Sequence, residues 1–170
     1  MGVFALQLAK AYGAQVTGVD SGPKLDMLRS IGADRVIDYA QEDFTRGSER
    51  YDLIVDIPGN HPFSECRRAL TPHGRYVLIG HDQFGDVGRR WFGSLPRFAR
   101  LMAISPFVRQ LPRFSFSLPP KKESLDVLKD FFEAGKLLPV VDRTYPLREV
   151  LDAIRYLESG QAKGKVVITM

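Results

Sequence analysis

The sequence predicts an α/β protein built on a doubly wound parallel sheet. Three observations predict it. Short, nearly continuous apolar runs rich in β-branched residues recur along the chain, as in strands buried on both faces. Stretches of good helix formers separate them, and glycine or proline stands at most of the joints.

The elements follow in order. Residues 3–12, "VFALQLAKAY", are almost all helix formers and mostly apolar, and Gly13 follows where a left-handed cap belongs. "QVTGVD" (15–20) is a short strand. "SGPKLDMLRSIGA" (21–33) reads as a helix with Ser21 as its cap, Pro23 in its first turn and Gly32 at its end. "RVIDY" (35–39) is a second strand, "YDLIVDI" (51–57) a third, "PFSECRRAL" (62–70) a helix and "GRYVLIG" (74–80) a fourth strand. Beyond Gly80 the rhythm breaks: aromatics, arginines and prolines mix, with no acid between Asp86 and Glu123, so 82–114 is expected to be an insertion or lobe. "SFSL" (115–118) is expected to be the last strand of the sheet. A helix (121–136), a strand "LPVVDRTY" (138–145), a helix (147–160) and a strand "KVVIT" (165–169) complete the chain.

The 170 residues, 44% hydrophobic and 26% charged, suffice for one full core. A net charge of +4 favours anionic partners only mildly and selects no function class. The single cysteine, Cys66, excludes an intrachain disulfide and a multi-cysteine zinc site and suits a reducing compartment, the cytoplasm by default. The sequence carries neither a recognisable signal peptide nor an apolar run near the ~20 residues of a membrane span.

The first twenty residues carry the chemical signal. Dinucleotide binding needs a strand, a tight glycine turn close to the pyrophosphate, and a helix whose N-terminal amides and dipole face the phosphates. Gly2 stands as the last glycine of such a turn, the helix and next strand follow, and Asp20 ends that strand where an acid accepts hydrogen bonds from ribose hydroxyls. An acid there also serves as an ordinary helix cap, so both roles stay open.

"GVFALQLAKAYGAQVTGVDS", "LDMLRSIGADRVIDY", "YDLIVDIPGN" and "LREVLDAIRYLESGQAKGKVVIT", in this order and spacing, resemble the medium-chain dehydrogenase/reductase superfamily, which comprises zinc-type alcohol dehydrogenases and zinc-free quinone oxidoreductases. The resemblance runs from Gly2 to Thr169, and the tail from Gly135 is most similar to the zinc-free branch. It implies a Rossmann-like domain over 1–118, with the variable insertion, and over 119–170 the C-terminal segment of the family's catalytic domain. It implies that Gly2 and Val3 lie under the pyrophosphate, that Asp20 and Ser21 meet the adenosine ribose with Lys24 one turn on, and that Tyr39 flanks the 2′ position or the adenine. It further implies that Ile57, Pro58, Gly59 and Gly80 form loops beneath the nicotinamide, that the backbone of Phe116 and Leu118 faces the carboxamide, and that Lys165 reaches the phosphates. The implied cofactor is NAD(P)H: a carboxylate at Asp20 favours NAD, whereas donors at Ser21, Lys24 and Tyr39 favour NADP, and the choice stays open. The plainer roles also stand: Ser21 as a cap, Lys24 and Lys165 as solvated charges, Tyr39 as a packing residue.

His61, His73 and His81 are scattered without metal-ligand spacing, and no zinc site is expected. Cys66 beside Arg67 and Arg68 is read as a structural cysteine rather than an activated thiol. In 89–113, Trp91, Phe92, Leu95, Phe98, Leu101 and Met102 fall near helical spacing with Arg90, Arg97 and Arg100 among them. That segment is read as a surface lobe or substrate-cleft wall; membrane-surface contact is the rival reading and nucleic-acid binding the least favoured. Liposome flotation separates them, since a cleft wall gives no binding to anionic vesicles.

The resemblance also implies a sheet order of 3-2-1-4-5-6, in which the central first strand would precede Gly2. Without it, strands 15–20 and 35–39 are not joined to 51–57 and 74–80, and strands 138–145 and 165–169 lack their usual partners. Two readings follow: the cofactor-binding part of a truncated oxidoreductase that moves hydride to or from a carbonyl, alcohol, enone or quinone, or a non-catalytic nucleotide-binding or interaction module. Little activity and weak dinucleotide affinity are expected of this chain alone. Expected partners are the dinucleotide and a small-molecule substrate, together with a homodimer mate or a second chain that completes the sheet. Neither the substrate nor the proton donor is specified by these residues.

Overall fold

A computed structural model describes residues 2–79, 95–112 and 121–170. Packing divides the chain into two compact units, Met1–Glu42 with Pro120–Met170, and Asp43–Pro119. This division by contact is distinct from the expected boundary at 118/119, which concerns the parent domain each segment comes from. The class is α/β and all strand pairing is parallel.

In the first unit, α1 (Gly2–Ala11) contains no β-branched run to oppose helix formation, and Gly13 ends it at φ 80°. There the Gly13 N–H donates to the Lys10 carbonyl and the Ala14 N–H to the Ala9 carbonyl, which satisfies carbonyls that the helix end would leave orphaned. β1 (Thr17–Asp20) and β2 (Arg35–Asp38) pair in register from Thr17↔Arg35 to Asp20↔Asp38. Between them, 22–24 form a 3-10 turn and α2 spans only Leu25–Ser30. Leu6 of α1 and Leu28 of α2 both pack over Gly18, where an added Cβ would stand 3.0 Å from Leu28. The expected Ser21 cap is absent: its amide and hydroxyl turn instead to the Asp20 carboxylate, at 2.8 and 3.4 Å.

The C-terminal part of this unit contains α5 (Lys121–Glu133), β5 (Val141–Pro146), α6 (Val150–Glu158) and β6 (Lys165–Thr169). Ring contacts Phe4–Phe132 (5.9 Å) and Tyr12–Phe131 (5.3 Å) join α1 to α5. Strands β5 and β6, expected to lack their usual partners, pair with each other. β5 begins three residues later than its apolar run predicts, because the buried Gln7 side chain claims Leu138: its amide donates to the Leu138 carbonyl at 2.9 Å and accepts the Leu138 N–H at 2.7 Å.

Asp142 of β5 accepts the Tyr156 hydroxyl (2.7 Å) and the Lys163 amide (3.0 Å), and these hold its carboxyl below the ordinary carboxylate range. A carboxyl depressed in the folded state stabilises it above the unfolded pKa, near ~3.9, and that contribution is lost as the pH falls through the folded pKa. Tyr156→Phe is therefore expected to move the Asp142 titration upward, read from its carboxyl carbon by NMR. An unmoved titration would show the hydroxyl to be idle.

The second unit contains β3 (Tyr51–Asp56), α3 (Phe63–Ala69), β4 (Leu70–Leu78) and α4 (Leu95–Ile104). β4 starts four residues before the predicted strand, since Leu70 pairs with Tyr51 across a register shift ahead of the regular pairs Leu53↔Arg75 to Asp56↔Leu78. Ile54, Cys66, Ala69, Leu70 and Tyr76 form its core with Leu101 and Leu111. Part of the unusual 89–113 segment is therefore core rather than free surface. Residues 80–94 and 113–120, including the "SFSL" strand, lie outside the described residues. Cys66 is wholly buried, as a structural cysteine requires. Among the described residues no helix is long and apolar enough to cross a membrane.

Candidate functional site

Parallel strands release their chains at one end, and there β1 and β2 each finish in an aspartate, Asp20 opposite Asp38. The Asp20 carboxylate turns toward the following loop, where Oδ1 accepts the Ser21 amide and lies 3.7 Å from Lys24 Nζ, one helical turn on. All partners of that side chain among the described residues use Oδ1, so Oδ2 keeps its accepting lone pairs. The backbone carbonyl of Asp20 accepts the Tyr39 amide at 3.2 Å, and the Tyr39 ring is exposed. Asp20, Ser21, Lys24 and Tyr39 thus share one patch of the first unit.

Asp38 is a fifth polar group of this patch, which the sequence reading missed. Its Oδ1 accepts the Ala40 amide at 3.0 Å, and its Oδ2 lies where a Cβ on Gly22 would come within 2.8 Å. The signal was available: "RVID" ends in an acid as "TGVD" does. Two carboxylates at adjacent strand ends make the patch anionic, with Lys24 on Asp20 the only ammonium tied to them among the described residues.

Gly2 and Val3 form the first turn of α1. Lys165, the first residue of β6, lies with its Nζ 5.6 Å from the Phe4 ring centroid, which sets a cation beside the helix turn whose free amides and dipole attract anions. Lys165 is thus placed against Phe4, the residue that follows Gly2 and Val3 in the helix.

In the second unit, Ile57, Pro58 and Gly59 form the turn after β3, with Gly59 buried at φ 73°. Asp56, which the sequence reading also missed, fixes that turn. Its Oδ1 accepts the Gly59 amide at 2.9 Å and its Oδ2 the Tyr76 hydroxyl at 2.7 Å. The pattern of an acid three residues before a glycine at a strand end was the available sign. Gly80, Phe116 and Leu118 lie outside the described residues.

Among the described residues no donor set fits zinc. Cys66 is sealed in the apolar core, His61 pairs through Nδ1 with Glu65 at 3.2 Å, and among the described residues no three His, Cys, Asp or Glu side chains converge.

A model of a zinc-binding dehydrogenase family matches residues 31–168. The chain is 30% identical over 196 residues to the mouse mitochondrial NAD(P)H oxidoreductase RTN4IP1, a match that takes in all of this chain and 45% of that one. It is 32% identical over 172 residues to the chloroplastic NADPH-dependent alkenal/one oxidoreductase of Arabidopsis thaliana, covering 99% of this chain and 37% of the relative. The crystal structure of an NAD-dependent alcohol dehydrogenase superposes with a TM-score of 0.70 at 28% identity, over 99% of this chain and 47% of the other. The chain thus spans less than half the length of these relatives.

Proposed function

The chain belongs to the zinc-binding dehydrogenase family of the medium-chain dehydrogenases/reductases, and from that membership we propose that it is the nicotinamide-dinucleotide-binding part of an oxidoreductase, with NADH preferred to NADPH. The bound dinucleotide would carry the hydride, supplying it to a carbonyl, enone or quinone or accepting it from an alcohol, and the residues of the chain bind and orient it. The substrate class proposed is an alcohol, a carbonyl, an enone or a quinone, as the relatives' activities suggest.

The accepting oxygen of Asp20 carries the reading. A ribose diol offers two hydroxyl donors to that oxygen, whereas a 2′-phosphate would bring about two negative charges to a strand end already holding Asp20 and Asp38. Two of the three donors that would welcome a phosphate are engaged, since Ser21 and Lys24 both turn to Asp20, while the Tyr39 ring is exposed. The first turn of α1, with Lys165 beside it, is proposed to take the pyrophosphate. Names among the relatives support a nicotinamide cofactor without choosing between the two forms. The single buried cysteine supports a reducing compartment such as the cytoplasm, although one relative is mitochondrial and another chloroplastic.

Calorimetric titration of the 170-residue chain with NADH and NADPH at equal ionic strength tests the proposal. NADH is expected to bind about tenfold more tightly, the worth of one charge-assisted hydrogen bond gained and one repulsion avoided. Equal affinity, or tighter NADPH, removes the preference; no binding of either removes the cofactor role.

A further inference from the structure

Between Asp86 and Glu123 the chain carries six arginines and two lysines and no acid. The described part of that run, 95–112, comprises α4 and the loop after it, and the loop builds a cleft against the start of β4. Alternation along β4 sets one wall: Gly74 and Tyr76 are buried, so His73 and Arg75 between them face the other way and are exposed. The loop sets the second wall. The Tyr76 amide donates to the Gln110 carbonyl at 2.8 Å, which ties the loop to β4 one residue from Arg75 on the strand and one residue from Arg109 on the loop. The loop is firmly seated, because the Leu111 amide donates to the Val108 carbonyl at 3.1 Å and the Leu111 side chain is buried in the core of the unit. The cleft encloses about 690 Å³, within the roughly 300–1,000 Å³ of small-molecule sites. Its lining is one-sided in charge: His73, Arg75 and Arg109 meet the apolar Phe107, Val108 and Leu111, and no acidic residue lines it. Among the described residues neither guanidinium is paired with a carboxylate. Two like charges on one cleft repel each other, and an anion between them turns that repulsion into attraction.

We propose that this cleft binds a small amphiphilic anion, its carboxylate or phosphate head held by Arg75 and Arg109 with His73 as a further donor, and its apolar body lying along Phe107, Val108 and Leu111. The planar fork of arginine matches such a head, and the apolar wall shields the pairs from water. Phe107, 88% exposed, is an apolar ring standing in water beside these cations, and an apolar body laid on it removes that exposed surface. A cleft of this volume takes in one small molecule, whereas a polyanion needs a row of cations along an open face. The site lies wholly within the second unit and does not depend on the dinucleotide reading.

Two-dimensional NMR titration of the full chain tests it, with decanoate and decyl phosphate as probes and decanol as the uncharged control. Each anion is expected to shift the Arg75, Phe107 and Arg109 amides, to leave that of Gly18 in place, and to bind at least about tenfold more tightly than decanol. The tighter of the two identifies the head. Inorganic phosphate, the head without the body, is expected to bind at least about tenfold more weakly than decyl phosphate. The double variant Arg75→Gln/Arg109→Gln is expected to lose about tenfold or more in affinity for both anions, with Tm within about 3 °C of the unaltered chain because both side chains are exposed. Should that variant fail to fold, Phe107→Ser is expected to weaken decyl phosphate about threefold and to leave inorganic phosphate unchanged. Equal affinity for decanol and decanoate, undiminished affinity in the double variant, or no binding of either anion overturns the proposal. So does binding to anionic vesicles alone, which assigns the arginines to a membrane surface, and so does displacement of the anion by NADH, which gives the cleft to the dinucleotide.

Discussion

Asp20→Ala is expected to weaken NADH binding about tenfold to a hundredfold, which is the range for losing a charge-assisted pair of hydrogen bonds to a ribose diol. The same substitution is expected to leave NADPH binding unchanged or to strengthen it severalfold, because it removes a like charge and frees the Lys24 ammonium, now 3.7 Å from Asp20 Oδ1, for a 2′-phosphate. The ratio of the two affinities therefore inverts, and a general loss of folding cannot produce that result. Asp38→Asn is expected to move the ratio in the same direction by less, since the Asp38 side chain is already occupied with the Ala40 amide and the close approach to Gly22. Calorimetry on the two variants reads both effects. Parallel losses of NADH and NADPH in Asp20→Ala would mean that Asp20 supports the fold and does not choose the cofactor.

Gly74→Ala is expected to be the most damaging single methyl in the second unit. A Cβ there would stand 2.7 Å from the Tyr51 carbonyl oxygen, 3.0 Å from Leu70 Cδ2 and 3.1 Å from the Thr71 hydroxyl. None of these neighbours can retreat easily. Tyr51 and Leu70 are paired across the register shift, Leu70 lies in the core, and two residues beyond Gly74 the buried Tyr76 pairs with Ile54. The strand must separate or shift, at a cost of about 2–4 kcal/mol, which for a chain of this size lowers Tm by roughly 10 °C. Gly47→Ala is the control: its Cβ would meet nothing nearer than 3.9 Å, and less than about 0.5 kcal/mol is expected. Thermal unfolding of the pair distinguishes a steric requirement from a general intolerance of change. Equal Tm values would contradict the packing described for β4. Gly164 repeats the logic in the first unit, where an added Cβ would overlap the Val140 carbonyl oxygen.

The elements governed by local chemistry could be read from the chain itself. "KVVIT" became Lys165–Thr169 residue for residue, and the first helix ended at Gly13 because only a left-handed residue there lets the next two amides reach back. The parallel class was legible because strands covered on both faces carry apolar runs without alternation.

Features that depend on partners distant in sequence were not legible. Gln7 shortens β5 from 131 residues away, and no local pattern at Leu138 announces it. The early start of β4 follows from the pairing of Leu70 with Tyr51 across the register shift. Ser21 was read as a cap because serine before a proline-containing turn usually is one, but a carboxylate directly before it in sequence competed for both its donors and won. The candidate site divided in the same way. Asp20 stood out as an acid at a strand end, while Asp38 and Asp56 gain meaning only once β2 lies beside β1 and Tyr76 lies beneath the 57–59 turn.

A crystal structure of the 170-residue chain grown with NADH is the decisive measurement, because it shows which atom of the nucleotide meets which atom of the protein. The account predicts that the adenosine ribose diol lies within hydrogen-bond distance of the Asp20 carboxylate, at the end of β1, with the pyrophosphate at the first turn of α1. A nucleotide bound with its ribose away from Asp20 would contradict it.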